Sequence, residues 1–545
     1  MPGSYTYPGV YVEEIPSGVR TIVGVSTSDT AFVDVFARGP VNEPVRITSF
    51  GDFVREFGGV HPSSAASYAI QQYYLNGGSV AWVVRLSVPY TENGSAKEAQ
   101  PARIQLLGSS PPQGAMTLAA RSPGEWGNSL RVAAVRAPGT NRFTLVVREV
   151  TQQNNREEVI QTEVHRNLGV KKTESRYFPD ILNADSRLLQ VENAGLGFLP
   201  HLAEPNDIGD GPNDPVAFKP LTGGDNGKLR DADGVIISPA TYVDALVGDV
   251  QAANKRGLYA LEKITPAIFN LLCLPAAADL DAGSMRALYA KAIKYAEDKR
   301  AFLLVDIPDQ INTQAEMTAW INDPNNASLR SRNAAVYFPR VEVADPRNDN
   351  RARNIAASGT LAGVYARTDA TRGVWKAPAG TDATLRGVNL VTRLNDLENG
   401  GLNPLGVNVL RSFPIYGNVS WGARTLRGAD EAADEYKYIP VRRLALYIEE
   451  TLYKSLQWVV FEPNDEPLWG LVRLNVGAFM QTLFRQGAFQ GTSPREAYLV
   501  KCDRETTTQN DIDRGVVNIL VGFAPLKPAE FVVIRIQQLA GQIEV

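Results

Sequence analysis

The sequence predicts a multidomain protein of mixed α+β and α/β class. It has a parallel α/β domain in the middle, a β-rich inserted domain ahead of it, an α+β C-terminal domain, and extended strand arms at both termini. Three observations predict this. Between about 233 and 345, continuous apolar runs alternate with helical stretches, the pattern of parallel strands covered on both faces. Between about 100 and 215, short alternating strand runs separated by turn signals replace them. At both ends, a short run of strand formers is fenced off by prolines. At 545 residues the chain is also too long for a single hydrophobic core.

The N-terminal arm, 1–20, carries YPGVYVEEIPSG (7–18), in which Val10, Tyr11, Val12 and Glu13 form the strand. A strand this short cannot bury much against a hairpin partner of its own. Residues 21–95 read as a small α/β unit: strand runs Thr30–Val35 and Arg46–Ser49, a helix Ala65–Tyr74 stopped at Asn76-Gly77-Gly78, and a strand Val80–Leu86. Residues 96–220 are the inserted module, with RIQLL, MTLAA, LRVAAV, FTLVVREV and EEVIQTEV punctuated by SPG (122–124) and PGT (138–140).

The α/β domain, 221–375, takes its strands from VIIS (235–238), FNLLCL (269–274), FLLVDI (302–307) and AAVYF (334–338). Its clearest helix, Met285–Asp298, aligns Leu288, Ala292 and Tyr295 on one face. In the C-terminal domain, 376–524, two helices dominate. Val441–Phe461 carries Leu444, Ile448, Leu452 and Val459 at helical spacing, and Leu468–Gln486 carries Val472, Phe479 and Leu483. Asp465 is placed to cap the second helix and Gly487 to stop it. Strand runs 497–501 and 516–523 follow. The C-terminal arm, 525–545, begins with Pro525-Leu-Lys-Pro528 and holds the strand Phe531, Val532, Val533, Ile534, Arg535 and Ile536.

Function classes fall away quickly. A net charge of −4 argues against a general nucleic-acid binder. No apolar run approaches the ~20 residues of a membrane span, and MPGSYTYPG lacks the basic and apolar regions of a secretory signal. Cys273 and Cys502 read as buried free thiols, which fits a reducing compartment. His61, His165 and His201 have no partner at metal-ligand spacing. LTGGDNGKL (221–229) fails as a P-loop, because only three residues separate Gly223 from Gly227 and Leu229 follows Lys228 where a hydroxyl is needed. No G-x-S-x-G elbow is present. Asp306, at the end of a predicted parallel strand, reads as a cap or turn former. The expectation is a protein without catalytic, cofactor or metal residues.

Several blocks carry a resemblance: RTDATRGVWKAPAG (367–380), SWGARTL (420–426), YIPVRRLALYIEETLYKSLQWVVFEPNDEPLW (438–469), NVGAFMQTLFRQGAFQG (475–491) and TTTQNDIDRGVVNILVGFAPLKPAEFVV (506–533). Earlier stretches, FARGPVNEPVRITSF (36–50), YYLNGGSVAWVVRL (73–86) and SPGEWGN (122–128), extend it. The chain is similar, over nearly its whole length, to the contractile tail sheath proteins of phage tails and phage-derived extracellular contractile injection systems. The resemblance implies a helical homopolymer around an inner tail tube. In it, Val10–Glu13 and Phe531–Ile536 leave their own subunit and add strands to neighbouring copies. It further implies contacts with the tube protein, with baseplate and terminal cap proteins, and with sister sheath proteins as additional candidates. It implies assembly in the cytoplasm and no catalytic activity. Residues from about 380 onward would face the tube, with Arg473 and Arg485 offered to acidic tube residues. The alternatives are an α/β hydrolase-like enzyme over 233–345 and another self-assembling tail or shell protein.

Overall fold

The computed structural model describes residues 20–92, 95–106, 116–136, 142–153, 156–194, 218–231, 234–251 and 253–535. The described residues divide into two compact units: a larger one of Ser26–Arg372 with Ala377–Arg442, and a smaller one that takes 20–25, Gly373–Lys376 and 443–535.

The larger unit is built on an eight-stranded sheet. Its order is Pro44–Ile47, Ala81–Arg85, Thr30–Asp34, Leu271–Cys273, Phe302–Val305, Ala334–Phe338, Val407–Phe413 and Gly417–Ser420. The inner six strands run parallel, and the first and last pair antiparallel at the edges. Every residue of Thr30–Asp34, Leu271–Cys273, Phe302–Val305 and Ala334–Phe338 is buried, which is why the last three read as unbroken apolar runs. Helices cover the sheet. Asp281 caps Ala282–Asp298 by accepting from the Gly283 and Ser284 amides, and Leu288, Ala292 and Tyr295 on that helix are buried as their spacing predicts. Ser64 caps Ala65–Leu75 in the same way, through the Ser67 amide.

Two sequence expectations change here. Thr30–Asp34 pairs with Leu271–Cys273, so strands from 21–95 and 221–375 share one sheet, which Val407–Ser420 extends. Strand character is a local property, whereas strand order is set by packing between distant segments. Val235–Ser238 is no strand. Ile236 makes only an isolated bridge to Arg230, and Pro239 opens a helix, Pro239–Val247, immediately afterwards. Proline at the first helical turn favours a helix start there.

The β-rich insertion forms as expected. Arg156–Gly169, Arg142–Gln153, Leu130–Arg136 and Lys219–Pro220 make one antiparallel sheet; Leu189–Asn193, Met116–Ala120 and Arg103–Leu106 make a second. Leu118, Leu130, Val132, Phe143, Leu145, Phe178 and Leu182 fill a core of its own. Arg38 anchors it to the body through Glu149, at 2.9 Å.

The smaller unit is centred on the helix Glu466–Arg485 and on the part of the helix Ile439–Ser455 from Arg443 onward. The first ends six residues before the predicted Phe461, in a 3-10 turn at Gln457–Val459. Asp465 caps the second by accepting from the Leu468 amide, and Gly487 leaves it with φ 79°, the left-handed geometry that a stop requires. Leu444, Ile448, Val472, Phe479 and Leu483 pack together between them. A two-stranded antiparallel sheet completes the unit, Tyr498–Lys501 with Leu520–Phe523. The second strand is shorter than the predicted 516–523, because Gly515, at φ 71°, turns the chain and the Val516 amide donates back to the Asp511 carbonyl.

Candidate assembly surfaces

Phe531, Val532, Val533 and Ile534 are between 76% and 81% exposed, and Arg535 is exposed beside them. None of the five belongs to a strand in the single chain. Four consecutive large apolar side chains in water are unfavourable, at about 1.5–3 kcal/mol for each one that could be buried. Ile536 and the N-terminal set Val10, Tyr11, Val12 and Glu13 lie outside the described residues.

In the same unit, the sheet of Tyr498–Lys501 and Leu520–Phe523 has two strands only, so among the described residues each keeps an unpaired edge. Tyr498, Val500, Val521 and Phe523 face the helix core, while Leu499 and Leu520 stay exposed. A two-stranded ribbon is marginal by itself, and its open edges are templates for further strands. These edges escape a sequence reading, because nothing local marks how many partners a strand has.

Along Glu466–Arg485, the exposed positions Leu471, Leu474, Ala478, Thr482 and Arg485 recur at intervals of three and four, an apolar stripe ending in a cation. Arg473 is not part of it. Its guanidinium pairs with Glu466 at 2.6 Å and also donates to the Cys502 carbonyl, so its charge is committed within the unit. Of the two arginines singled out in the sequence, Arg485 alone stands on the exposed stripe.

Where an α/β enzyme would place its chemistry, the carboxylates are engaged in holding the fold. In doubly wound sheets, ligands bind where the strand order reverses, here between Thr30–Asp34 and Leu271–Cys273. Asp34 occupies that end and is fully buried. Its carboxylate accepts from the Val35 amide at 2.7 Å, the Ala66 amide at 2.8 Å, the Ser64 hydroxyl at 3.1 Å and the Tyr242 hydroxyl. Burial pushes its pKa up against these donors. Asp306 is likewise buried; one oxygen accepts from the Ser358 amide at 2.9 Å, at the start of the helix Ser358–Arg372. That is the capping role its position suggested, and burial raises its pKa to about 6.

Several amides of 221–229 are spent on neighbouring segments. Thr222 and Asp225 donate to the Arg103 and Gln100 carbonyls, and Gly224 to Asn128 Oδ1. His61 is held below its usual pKa by burial and by Arg347, Arg85 and Arg353, and His165 sits 3.2 Å from Glu163. His201 lies outside the described residues. Among the described residues, no group of three or more His, Cys, Asp or Glu side chains is placed to hold a metal, and no helix is long and apolar enough to cross a membrane.

Comparison with known proteins points to one family. The model of the phage tail sheath protein central domain matches residues 245–426, and that of the phage tail sheath C-terminal domain matches 431–538. Together they span more than half of the chain. The tail sheath protein of Vibrio phage KVP40 is 27% identical over 193 residues, 35% of this chain; the match spans 27%, about a quarter, of that relative's length. A putative prophage major tail sheath protein of Pseudomonas aeruginosa (strain UCBPP-PA14) is 24% identical over 303 residues, 54% of this chain and 72% of the relative. The helical sheath of the anti-feeding prophage in its contracted state shares the fold, with a TM-score of 0.54 and 23% identity over 98% of this chain and 99% of that one. By sequence and by fold, the chain belongs to the contractile phage tail sheath family.

Proposed function

We propose that this chain is the structural subunit of a contractile sheath. It polymerises as a helical tube around an inner tail tube and shortens to drive that tube through a target envelope. The observation that carries the reading is the presence, within one unit, of an exposed apolar segment, Phe531–Ile534, and of a sheet whose two edges are open among the described residues. Arms from neighbouring copies, Phe531–Ile536 at one edge and Val10–Glu13 at the other, would bring the sheet to four strands, past the three needed for independent stability. Such a contact joins unlike surfaces head to tail, so it propagates into an open helix instead of closing a dimer. Shortening is then release from a kinetically trapped arrangement by rigid-body movement, with the donated strands kept.

The partners are further copies of this chain, the inner tube protein, baseplate and terminal cap proteins, and sister sheath proteins. Assembly takes place in the cytoplasm, and the product is part of a phage tail or an extracellular contractile particle. No catalytic role is assigned, because the two buried carboxylates at the sheet ends, Asp34 and Asp306, are engaged in holding helix starts.

The stripe on Glu466–Arg485 is the surface we assign to the tube, with Arg485 as its cation. Arg485→Glu is expected to abolish tube-templated assembly while leaving the unfolding temperature unchanged, as read by cosedimentation with tube protein and by thermal melting. Arg473→Gln, by contrast, loosens the unit itself through loss of the Glu466 pair. The whole proposal is tested by negative-stain microscopy of the purified chain at rising concentration. Long hollow cylinders support it; monomers at every concentration, with or without tube protein, contradict it.

A further inference from the structure

A cavity of about 40 Å³ lies beyond the carboxyl ends of two neighbouring parallel strands of the larger unit, Thr30–Asp34 and Ala81–Arg85. Val35 and Val88, which follow those strands, contribute an apolar wall. The polar wall comes from His61, Ser63, Asn226 and Lys228, and among the described residues no carboxylate lines the cavity. Each polar group is left as a donor. The Ser63 amide donates to His61 Nδ1 at 3.3 Å, which keeps the ring proton on Nε2, and Nε2 has no acceptor among the described residues. Asn226 Oδ1 accepts from the Glu125 amide at 3.0 Å, so Nδ2 is its free end. The Ser63 hydroxyl and the exposed Lys228 ammonium make no hydrogen bond or ion pair among the described residues. Lys228 feels the field of Glu92, but that carboxylate is paired with Lys97. The surrounding charge has one sign. Burial and the guanidiniums of Arg347, Arg85 and Arg353 hold the His61 pKa below its usual value. Arg353 is paired with Asp345 at 3.4 Å, whereas Arg85 and Arg347 have no carboxylate partner among the described residues. Arg85 is 1% exposed, its guanidinium donates only to the Gly39 and Ala37 carbonyls, and its Nε finds no acceptor among the described residues. A buried cation without a counter-charge is costly.

We propose that this cavity binds a small tetrahedral oxyanion, inorganic phosphate, whose oxygens accept from His61 Nε2, Asn226 Nδ2, the Ser63 hydroxyl and Lys228 Nζ. Charge decides the class of ligand: four donors in a field of unpaired guanidiniums favour a negatively charged group that only accepts. Size decides between the free ion and something larger. One water takes about 10–15 Å³ of such space, so about three waters, or one small ion, fit. Cofactor sites run to about 300–1,000 Å³. The position agrees with the crevice beyond the strand ends where open α/β sheets bind ligands. Although 221–229 lacks the spacing of a P-loop, Asn226 and Lys228 reach the cavity by side chain. The bound ion ties together three segments distant in sequence, the two strand ends, the turn at 61–63 and the loop at 226–229, and supplies counter-charge near Arg85 and Arg347. The site does not depend on the strand-donation reading.

NMR of labelled histidine in the full, unassembled chain reads the site, because His61 is one of only 3 histidines. Sodium phosphate at constant ionic strength is expected to raise the His61 pKa along a saturating curve and to leave His165 and His201 unmoved. Isothermal titration calorimetry with the same ion gives the affinity. Lys228→Ala is expected to weaken binding about tenfold or more, the loss of one charge-assisted hydrogen bond, and Lys228→Arg to restore most of it. Lys228 is exposed, so neither variant disturbs the core. Glycerol phosphate, the same head on a larger body, is expected to bind more weakly than the free ion. Equal or tighter binding of the ester would overturn the free-ion assignment. A His61 response that sodium chloride reproduces at equal ionic strength is screening alone and overturns the site. So does phosphate binding that Lys228→Ala leaves unchanged, or the absence of saturable binding to the intact chain.

Discussion

A chain that stops at Ala529 melts at about the temperature of the full subunit and builds no cylinders. The same is expected when residues 1–18 are removed. The first half of the expectation follows from exposure: Phe531 to Ile534 are largely in water and outside every strand, so the isolated subunit loses little by their removal. The second half follows from what an added strand contributes. A segment of about five residues forms a handful of backbone hydrogen bonds, each worth roughly 0.5–1.5 kcal/mol net. Alternate side chains would be buried against the receiving unit, at roughly 1.5–3 kcal/mol each. Ordering the segment costs about 1–2 kcal/mol per residue. A few kcal/mol remain per arm, and since about 1.4 kcal/mol is tenfold in affinity, losing one arm weakens each subunit contact about 100- to 1,000-fold. In a lattice where every subunit depends on the same contact, that suffices to move assembly out of the working concentration range. Thermal melting and negative-stain microscopy on the two truncations read the two halves separately. Normal cylinders from either truncation would remove that arm from the mechanism.

Asp306→Asn is expected to stabilise the subunit above pH 6 by as much as about 3 kcal/mol and to leave it unchanged at pH 4 and below. Burial raises this carboxyl from the ordinary 3.8 to about 6. The folded state therefore holds the proton more tightly than the unfolded chain does. Relative to its value below pH 3.8, stability falls as the pH climbs from 3.8 to about 6 and stays lower above that. The difference of about two units corresponds to about 3 kcal/mol at 1.36 kcal/mol per unit. Asparagine removes the charge and keeps an acceptor for the Ser358 amide, while its Nδ2, replacing an oxygen that has no partner among the described residues, must find an acceptor, which makes about 3 kcal/mol an upper bound. Urea midpoints of the unassembled subunit at pH 4 and pH 8 measure the effect. A destabilised variant at pH 8, or an equal gain at both pH values, would show that burial does not govern this carboxyl. Assembly is expected to be unaffected, as befits a cap and not a reactive group.

Much of the fold was legible because local chemistry decided it. The apolar runs around Leu271–Cys273, Phe302–Val305 and Ala334–Phe338 are buried strands, and Asp465 and Gly487 bound their helix as their side-chain chemistry demands. What the residues could not declare was pairing over long range. Thr30–Asp34 carries no mark that its neighbour lies some 240 positions away. Nothing local in residues 20–25 marks that the Arg20 and Val25 amides are held by Asn475 and Thr451. Arg473 and Arg485 are alike in sequence, and Glu466, about two turns earlier, together with the distant Cys502 carbonyl commits the first. The donor segment Phe531–Ile536 was visible as a strand without a local partner; its proposed receiving edges were not, since an open edge is an absence of neighbours and leaves no residue signature.

The most direct test of the account is the backbone trace of residues 531–536 in a cryo-EM map of the assembled cylinder. The account predicts that these residues form a hydrogen-bonded ladder with Tyr498–Lys501 or Leu520–Phe523 of a different copy. A trace in which they pair with their own subunit, or run free of every sheet, would contradict it.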